Sequence, residues 1–445
     1  MKKIMISIAA LLLLAGCKKY LDEKSDKKLV VPSSLADLQS ILDAYSKMSF
    51  GEPGEGEVSS TDYYITDANY NSLSKDNLRR LYTWQKDYLF ESLSNSWYFG
   101  YTSIYAANSV LDQISSVPPG AERDNIKGQA HFFRAKQYLN LAGVFTPAYD
   151  PATAGNDLGL PLRLNTDFNA PSVRASNEAT YQQIISDLKA AIPLLPVMPL
   201  SPIRPSKPAA YGLLARTYLF MRRYPEAGRY ADSCLQHFSR LIDYNTLNAA
   251  ASYPLAQFNA ETIFFSVMAT PAPINPSRAK TDPDLYNQYT ANDLRKTVFF
   301  KRNTDGTYAF KGNYSGMLAP FGGLSTNEIL LIRAEAAIRQ NQTTAGMEDL
   351  NTLLKTRWKT GTFVPFTAAL PAEALELVLK ERRKELLNRG LRWMDIKRLN
   401  KEGANITLSR TVAGQVYTLP PNDPRYALPI PEDVIQLSGM PQNFR

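Results

Sequence analysis

Apolar residues recur at helical spacing through most of this 445-residue chain, and one set of small residues repeats at a fixed offset. Between the two repeats lies a long stretch broken by Pro, Gly and Asn. Together these predict a mainly α fold: a tetratricopeptide-like helical repeat scaffold with long irregular loops and a few short β-hairpins. Tyr211, Leu214, Ala215, Tyr218, Ala227, Ala231 and Cys234 have the spacing of one helix–turn–helix unit, with Tyr224-Pro225 at the turn. Ala334, Ala337, Gly346, Leu350 and Leu353 stand 119 positions after Ala215, Tyr218, Ala227, Ala231 and Cys234. Small residues at such positions let paired helices approach closely. Cys234 occupies one of these slots, so it reads as buried and inert.

The N-terminus sets the address. Met1-Lys2-Lys3 is positive, and Ile4–Leu14 is an apolar run of eleven residues. A bilayer-spanning helix needs about 20 residues, so residues 1–16 read as a secretory signal. Leu14-Ala15-Gly16-Cys17 matches a bacterial lipobox, with small residues for the peptidase and then a thiol for thioether linkage to diacylglycerol. Cys17 is therefore the expected lipidation site. Its acyl chains would hold the protein on a membrane, since each buried CH₂ adds about 0.8 kcal/mol. Residues 17–30 are rich in charge and read as the lipidated tether, with the folded body at 31–445.

The body opens with a short helix. Ser33 or Ser34 can cap it, and Leu35, Leu38, Ile41 and Leu42 form its apolar stripe. Residues 51–57 form a Gly-rich turn. Trp97, Tyr101, Ile104, Tyr105 and Asn108 follow helical spacing and are expected in the core. Helices are predicted over 125–145 and 181–195, then a proline-rich connector over 193–208. Residues 261–267 look like a strand, at the start of an irregular insertion, 260–323. Loops of that length are commonly functional or disordered. Ile406–Leu419 reads as a small hairpin with Ala413-Gly414 at its turn.

Rings and hydrogen-bonding groups mix without clean periodicity between Asp62 and Trp84. This suits carbohydrate, whose C–H faces pack on rings while its hydroxyls need polar partners. It also suits peptides, or nothing beyond loop packing. The candidate ligand-binding residues are Asp62, Tyr63, Tyr64, Arg80, Tyr82 and Trp84. From the insertion come Tyr286 and Tyr289, with Tyr308 as a further candidate.

Other chemistries lack their residues. There is no G-x-S-x-G, His-Glu-x-x-His or phosphate-binding Gly loop. The two histidines, His131 and His237, offer few options for a triad and no zinc spacing. A glycosidase needs two facing carboxylates, which Glu52, Glu55, Glu57, Asp62 and Asp67 would have to supply from a Gly-rich loop. Two cysteines make no disulfide framework, and a net charge of +8 without a long basic block does not point to nucleic acid. No catalytic residue, cofactor or metal is assigned.

One stretch is more specific. Glu381 to Arg398 reads as a helix, a stop at Asn388-Arg389-Gly390 and a second helix with Trp393, Ile396 and Leu399 inward. Arg392 and Asp395, three apart, are expected to pair on the outer face. This E-R-R-x-E-L-x-x-x-G-x-R-W-x-D-[IL]-x-R pattern resembles the C-terminal signature of the SusD/RagB family of surface nutrient-binding lipoproteins. The first helix, Asp293-Leu294-Arg295 and the closing Pro429-Ile430-Pro431 to Gln442-Asn443 tail are similar to that family as well. On its own the Asp293–Arg295 pair reads as a surface ion pair of little energetic weight.

The resemblance implies a non-catalytic, lipid-anchored protein on the outer face of a Gram-negative outer membrane. It would bind an extracellular oligomer, an oligosaccharide or a peptide, and pass it to a TonB-dependent outer-membrane barrel. It also implies that Trp84 takes the place of a sugar-stacking Trp, with Asp62 and Arg80 as polar neighbours. The alternative is a helical-repeat scaffold with no nutrient ligand.

Overall fold

The computed structural model describes residues 34–445. The secretory segment, Cys17 and the tether expected over 17–30 lie outside them. The body begins at α1 (Leu35–Leu42), which is closed by a reciprocal cap. The Asp37 N–H donates to the Ser34 hydroxyl at 3.2 Å, while the Ser34 N–H donates to the Asp37 carboxylate at 3.1 Å. Next come α2 (Asp76–Tyr82), α3 (Ser96–Ile114), α4 (Ala121–Phe145) and α5 (Asn177–Ala191). The first repeat is α6 (Lys207–Phe220) and α7 (Tyr224–His237), and the second is α8 (Thr326–Arg339) and α9 (Thr343–Lys355). From α3 to α7 each helix packs on the next, and α7 then packs on α8, α8 on α9.

Local chemistry sets the boundaries. Asn95, Ser176 and Ser206 each accept a backbone N–H from three residues ahead, at 3.0, 3.1 and 3.2 Å, and so fix the starts of α3, α5 and α6. The Ser176 cap explains why α5 runs 177–191 rather than 181–195. On α3, Trp97, Ile104 and Asn108 are buried as expected, but Tyr101 is half-buried and Tyr105 is exposed. The apolar stripe of α3 is thus wider than the surface that α4 covers.

Both repeats use their small residues as the spacing demands. Ala227, Ala231 and Cys234 are buried, and burial pushes the Cys234 thiol up. Gly346 marks the closest approach in the second repeat. A Cβ there would lie 2.5 Å from Ile338 Cγ1 and 2.7 Å from the Ala334 carbonyl oxygen. Gly346→Ala is accordingly expected to lower stability by about 1–3 kcal/mol. A fall in the urea midpoint checks this, and an unchanged midpoint would mean that α8 and α9 separate freely.

The insertion is more ordered than its composition suggests. The predicted strand over 261–267 splits in two. Thr262–Phe264 pairs with Leu324–Ser325, and Val267–Met268 runs parallel to Phe50–Glu52. At the break, Phe265 N donates to the Pro202 carbonyl at 2.8 Å. Phe265, Leu285, Phe299, Phe300, Tyr314 and Phe321 form a second core beneath the insertion, separate from the large core of the helices.

The signature stretch becomes α10 (Pro371–Glu385) and α11 (Arg392–Asn400). Asn388 (φ +56°) and Gly390 (φ +69°) make the left-handed stop between them. The outer-face pair does not form, because α11 has almost no outer face: every residue from Trp393 to Asn400 is buried. Asp395 instead accepts from Arg382 Nε and Arg398 Nε, each at 2.8 Å. Asp293 and Arg295 are also buried, so theirs is not a surface pair.

The hairpin Leu408–Val412 with Gln415–Leu419 turns at Ala413 (φ +49°) and Gly414 (φ +78°). The chain closes through α12 (Glu432–Ser438). Beyond it the tail locks back on the body. Ile430 N donates to Gln442 Oε1 at 2.8 Å, and Asn443 Nδ2 donates to the Phe145 carbonyl at 2.8 Å.

Candidate functional site

Four of the seven rings expected at the ligand face are core residues. Trp84 is only 2% exposed, and its indole N–H donates to the Ser59 carbonyl at 3.0 Å. The Arg410 guanidinium carbon lies 3.7 Å from the ring centre of Tyr82, 4.9 Å from Trp84 and 5.3 Å from Tyr63. Tyr63 donates to the Val58 carbonyl at 2.9 Å, and the Tyr82 hydroxyl accepts from Ile65 N at 3.0 Å. These three rings therefore cage a buried arginine, and that occupies the faces a sugar would need. Asp62 is buried as well, accepting from Arg383 Nε at 2.8 Å. Tyr289 is buried in the second core, its hydroxyl donating to the Lys384 carbonyl at 2.8 Å. Arg80 turns to the 87–88 loop, paired with Asp87 and 5.8 Å from the Tyr88 ring centre.

The remaining ring candidates lie on neighbouring short elements. The two-residue strand Tyr63–Tyr64 pairs with Lys280–Thr281 and sets Tyr64 opposite Lys280. Lys280–Thr281 in turn packs on the strand Tyr308–Phe310. The Tyr308 ring stacks on Tyr286, with centroids 3.6 Å apart and planes at 16°. Phe300 holds Tyr286 edge-on at 5.3 Å, and Lys296 Nζ lies 5.0 Å from its centroid. Tyr64, Tyr286 and Tyr308 are all half-buried.

The charges on this face are fixed in place. Lys280 Nζ stands 3.3 Å from Asp305. The Thr307 hydroxyl and N–H donate to that carboxylate at 2.6 and 3.0 Å, and with Lys280 they lower its pKa to about 2. Partial burial raises the Tyr64 phenol, and the charges of Asp305 and Asp282 raise it further. Burial and then contact with Tyr308 raise Tyr286. Tyr64 and Tyr286 thus keep their protons at neutral pH and can donate as well as accept. The result is a rigid aromatic step bordered by an ammonium and a carboxylate. Lys280, Lys296 and Asp305 were not legible from the sequence, because a two-residue strand, a four-residue helix and a turn carry no periodicity.

Residues 19–219 match a SusD-like family described as starch-binding and associating with the outer membrane, and residues 299–444 match the SusD family. The chain belongs to the SusD/RagB family. Solved SusD structures share its fold. A SusD superfamily protein from Bacteroides thetaiotaomicron superposes with a TM-score of 0.75 at 21% identity, over 93% of this chain and 100% of that one. A SusD-like carbohydrate binding protein from Bacteroides vulgatus gives 0.71 at 21% identity, over 91% and 96%. A SusD superfamily protein from Bacteroides fragilis gives 0.72 at 19% identity, over 92% and 99%. No curated protein matches the sequence. Among the described residues of this SusD-like chain, no helix is long and apolar enough to cross a membrane. No group of three or more His, Cys, Asp or Glu among them could hold a metal ion.

Proposed function

We propose that this SusD-like protein is a non-catalytic surface receptor that binds an extracellular oligosaccharide through Tyr64, Tyr286 and Tyr308 and passes it to a TonB-dependent outer-membrane barrel. Cys17 carries its lipid anchor and the body faces the cell exterior. The observation that carries the reading is the stacked Tyr286–Tyr308 pair, with the Tyr308 strand packed against that of Lys280, the strand partner of Tyr64, and Asp305 paired to Lys280. Rings receive the C–H faces of a sugar, and the flanking charges meet its hydroxyls. The starch-binding description of the matched family and the carbohydrate-binding B. vulgatus relative support this ligand class.

The carboxylates that a glycosidase would require are already engaged. Glu52 holds Lys136, and Asp62 holds Arg383. Glu55 accepts from the Ser96 hydroxyl, and Glu57 accepts from Gly390 N at 3.0 Å. These four are buried, and the fifth, exposed Asp67, accepts from Ala413 N at 2.9 Å, which suits a receptor rather than a hydrolase.

Tyr308→Ala should weaken retention on the preferred polysaccharide by roughly tenfold, equivalent to about 1.4 kcal/mol, with a melting temperature close to wild type. Affinity electrophoresis and a thermal melt check both halves. Unchanged retention would remove Tyr308 from the ligand face, and retention by a peptide array alone would change the ligand class. Delivery is tested separately by purifying the lipidated protein from gently solubilised native membranes. A TonB-dependent barrel in near-equal amount is the expected companion, and its absence would overturn the transport role.

A further inference from the structure

A second groove lined by rings runs along α3. Tyr98, Tyr101 and Tyr105 are spaced three and four residues apart, so they share one face of the helix and climb it by about 5 Å per step. Tyr98 and Tyr105 are 47% and 53% exposed. Trp97 supports them from below, its ring 4.8 Å from that of Tyr101. The Tyr101 hydroxyl donates to the Pro161 carbonyl at 2.8 Å, which fixes the middle rung. Two adjoining cavities, of about 280 and 320 Å³, share Trp97, Tyr101, Tyr105 and Val434 as lining. The first extends to Phe168, which is 83% exposed.

Single exposed rings are ordinary on a protein surface. Three on one helix face, opening on a concavity with a fourth at its end, are not scatter. Volumes near 300 Å³ match sites for small molecules or single units of an oligomer, whereas protein interfaces are broader and flatter. Polar side chains stand among the rings. Arg163 and Thr166 line one cavity, and Thr102 and Asp433 line the other. Ring faces in register with a helical rise, with donors and acceptors beside them, suit a chain of hydroxylated pyranose units.

We propose that the α3 groove is a second saccharide platform, separate from the Tyr64–Tyr286–Tyr308 face and engaging another stretch of the same glycan chain. The inference rests on the saccharide reading above. Two platforms on one rigid body make the second contact intramolecular, so long chains gain affinity that short ones do not.

The test uses affinity electrophoresis of the whole mature protein in gels containing amylopectin, xylan, β-glucan or polygalacturonan. Wild type, Tyr308→Ala and the double variant Tyr105→Ala/Phe168→Ala are compared, with thermal melts as a folding control. The double variant removes exposed rings, so its melt should match wild type. It should lose retention by roughly tenfold or more on the polysaccharide that retards wild type. A short oligosaccharide of that polymer should bind it almost normally while losing affinity for Tyr308→Ala. Wild-type retention by the double variant overturns the second platform and leaves the first. The same holds if the double variant keeps its retention but no longer brings down a barrel, which would make the groove a protein contact. If no polysaccharide retards wild type, the saccharide reading falls, and this inference falls with it.

Discussion

Arg357→Ala should lower the stability of the protein by about 3–5 kcal/mol, because it removes one partner of a buried ion network and leaves the others uncompensated. Arg357 is fully buried at the end of α9. Its Nη2 donates to both oxygens of Glu261 at 2.8 and 3.0 Å, and its Nε donates to Glu385 Oε1 at 2.9 Å. Nη1 donates to the Ile242 carbonyl at 2.9 Å, and the Tyr244 ring centre lies 4.1 Å below the guanidinium carbon. The network continues. Glu385 also accepts from Asn327 at 2.9 Å and from Arg295 at 3.1 Å, and Arg295 holds Asp293 and Glu381 at 2.7 and 2.6 Å. Burial pushes Glu261 up and the charge of Arg357 pulls it back, while Glu385 is held low chiefly by Arg357 and Arg295 against its own burial. Without Arg357 these carboxylates must be protonated or hydrated within the core. Urea unfolding at neutral pH reads the loss. The control is Lys75→Ala, which removes a largely exposed pair with Glu91 and should stay within about 0.5 kcal/mol of wild type. A loss for Arg357→Ala no larger than the control's would mean that the network is not structural.

That network explains what the signature stretch does. Glu381, Arg382, Glu385, Asp395 and Arg398 are buried. Glu381 and Glu385 tie α10 to Arg295 of the insertion and, through Arg357, to the second repeat, while Arg398 ties α11 to Glu335 of α8 at 2.6 Å. The helices, both repeats, the left-handed stop and the Ala413-Gly414 turn were legible because each depends on neighbours within one or two turns of chain. The placement of charge was not. An i,i+3 rule pairs Arg392 with Asp395 only if that face meets solvent, and nothing local to α11 reveals the Arg382 and Arg398 side chains around it. For the same reason Asp293-Leu294-Arg295 looked like a surface pair: its partners Glu381 and Glu385 lie far along the sequence. The candidate site divides in the same way. The Asp62–Trp84 segment looked like a ligand loop because its rings lack periodicity, yet the guanidinium that organises three of them arrives from the C-terminal hairpin. Tyr64 and Tyr308 lie on strands of two and three residues and Tyr286 on a five-residue helix, all too short to leave a pattern.

Trp84→Ala separates core from ligand face most sharply. The indole is buried among Tyr63, Tyr82 and the Arg410 guanidinium, and truncating it should cost about 3–5 kcal/mol through lost transfer energy and the cavity left behind. Two polar consequences add to this. The Ser59 carbonyl loses its 3.0 Å donor, and Arg410 loses one of its three rings. Arg410 remains hydrogen-bonded to the Val58 carbonyl at 2.8 Å and to the carbonyls of Ser60 and Tyr82, so the cage should loosen without expelling the charge. The backbone adds no new penalty, because Trp84 already sits at φ +53° and alanine is strained there to the same degree. A thermal melt should therefore fall well below wild type. Saccharide retention, measured at a temperature where the variant is still folded, should be nearly unchanged. Tyr308→Ala should behave in the opposite way, with an ordinary melt and lost retention. If Trp84→Ala instead melted like wild type and lost retention, the indole would have to leave its cage in solution. The 62–84 segment would then be the ligand loop, and the Tyr64–Tyr286–Tyr308 face would lose its claim.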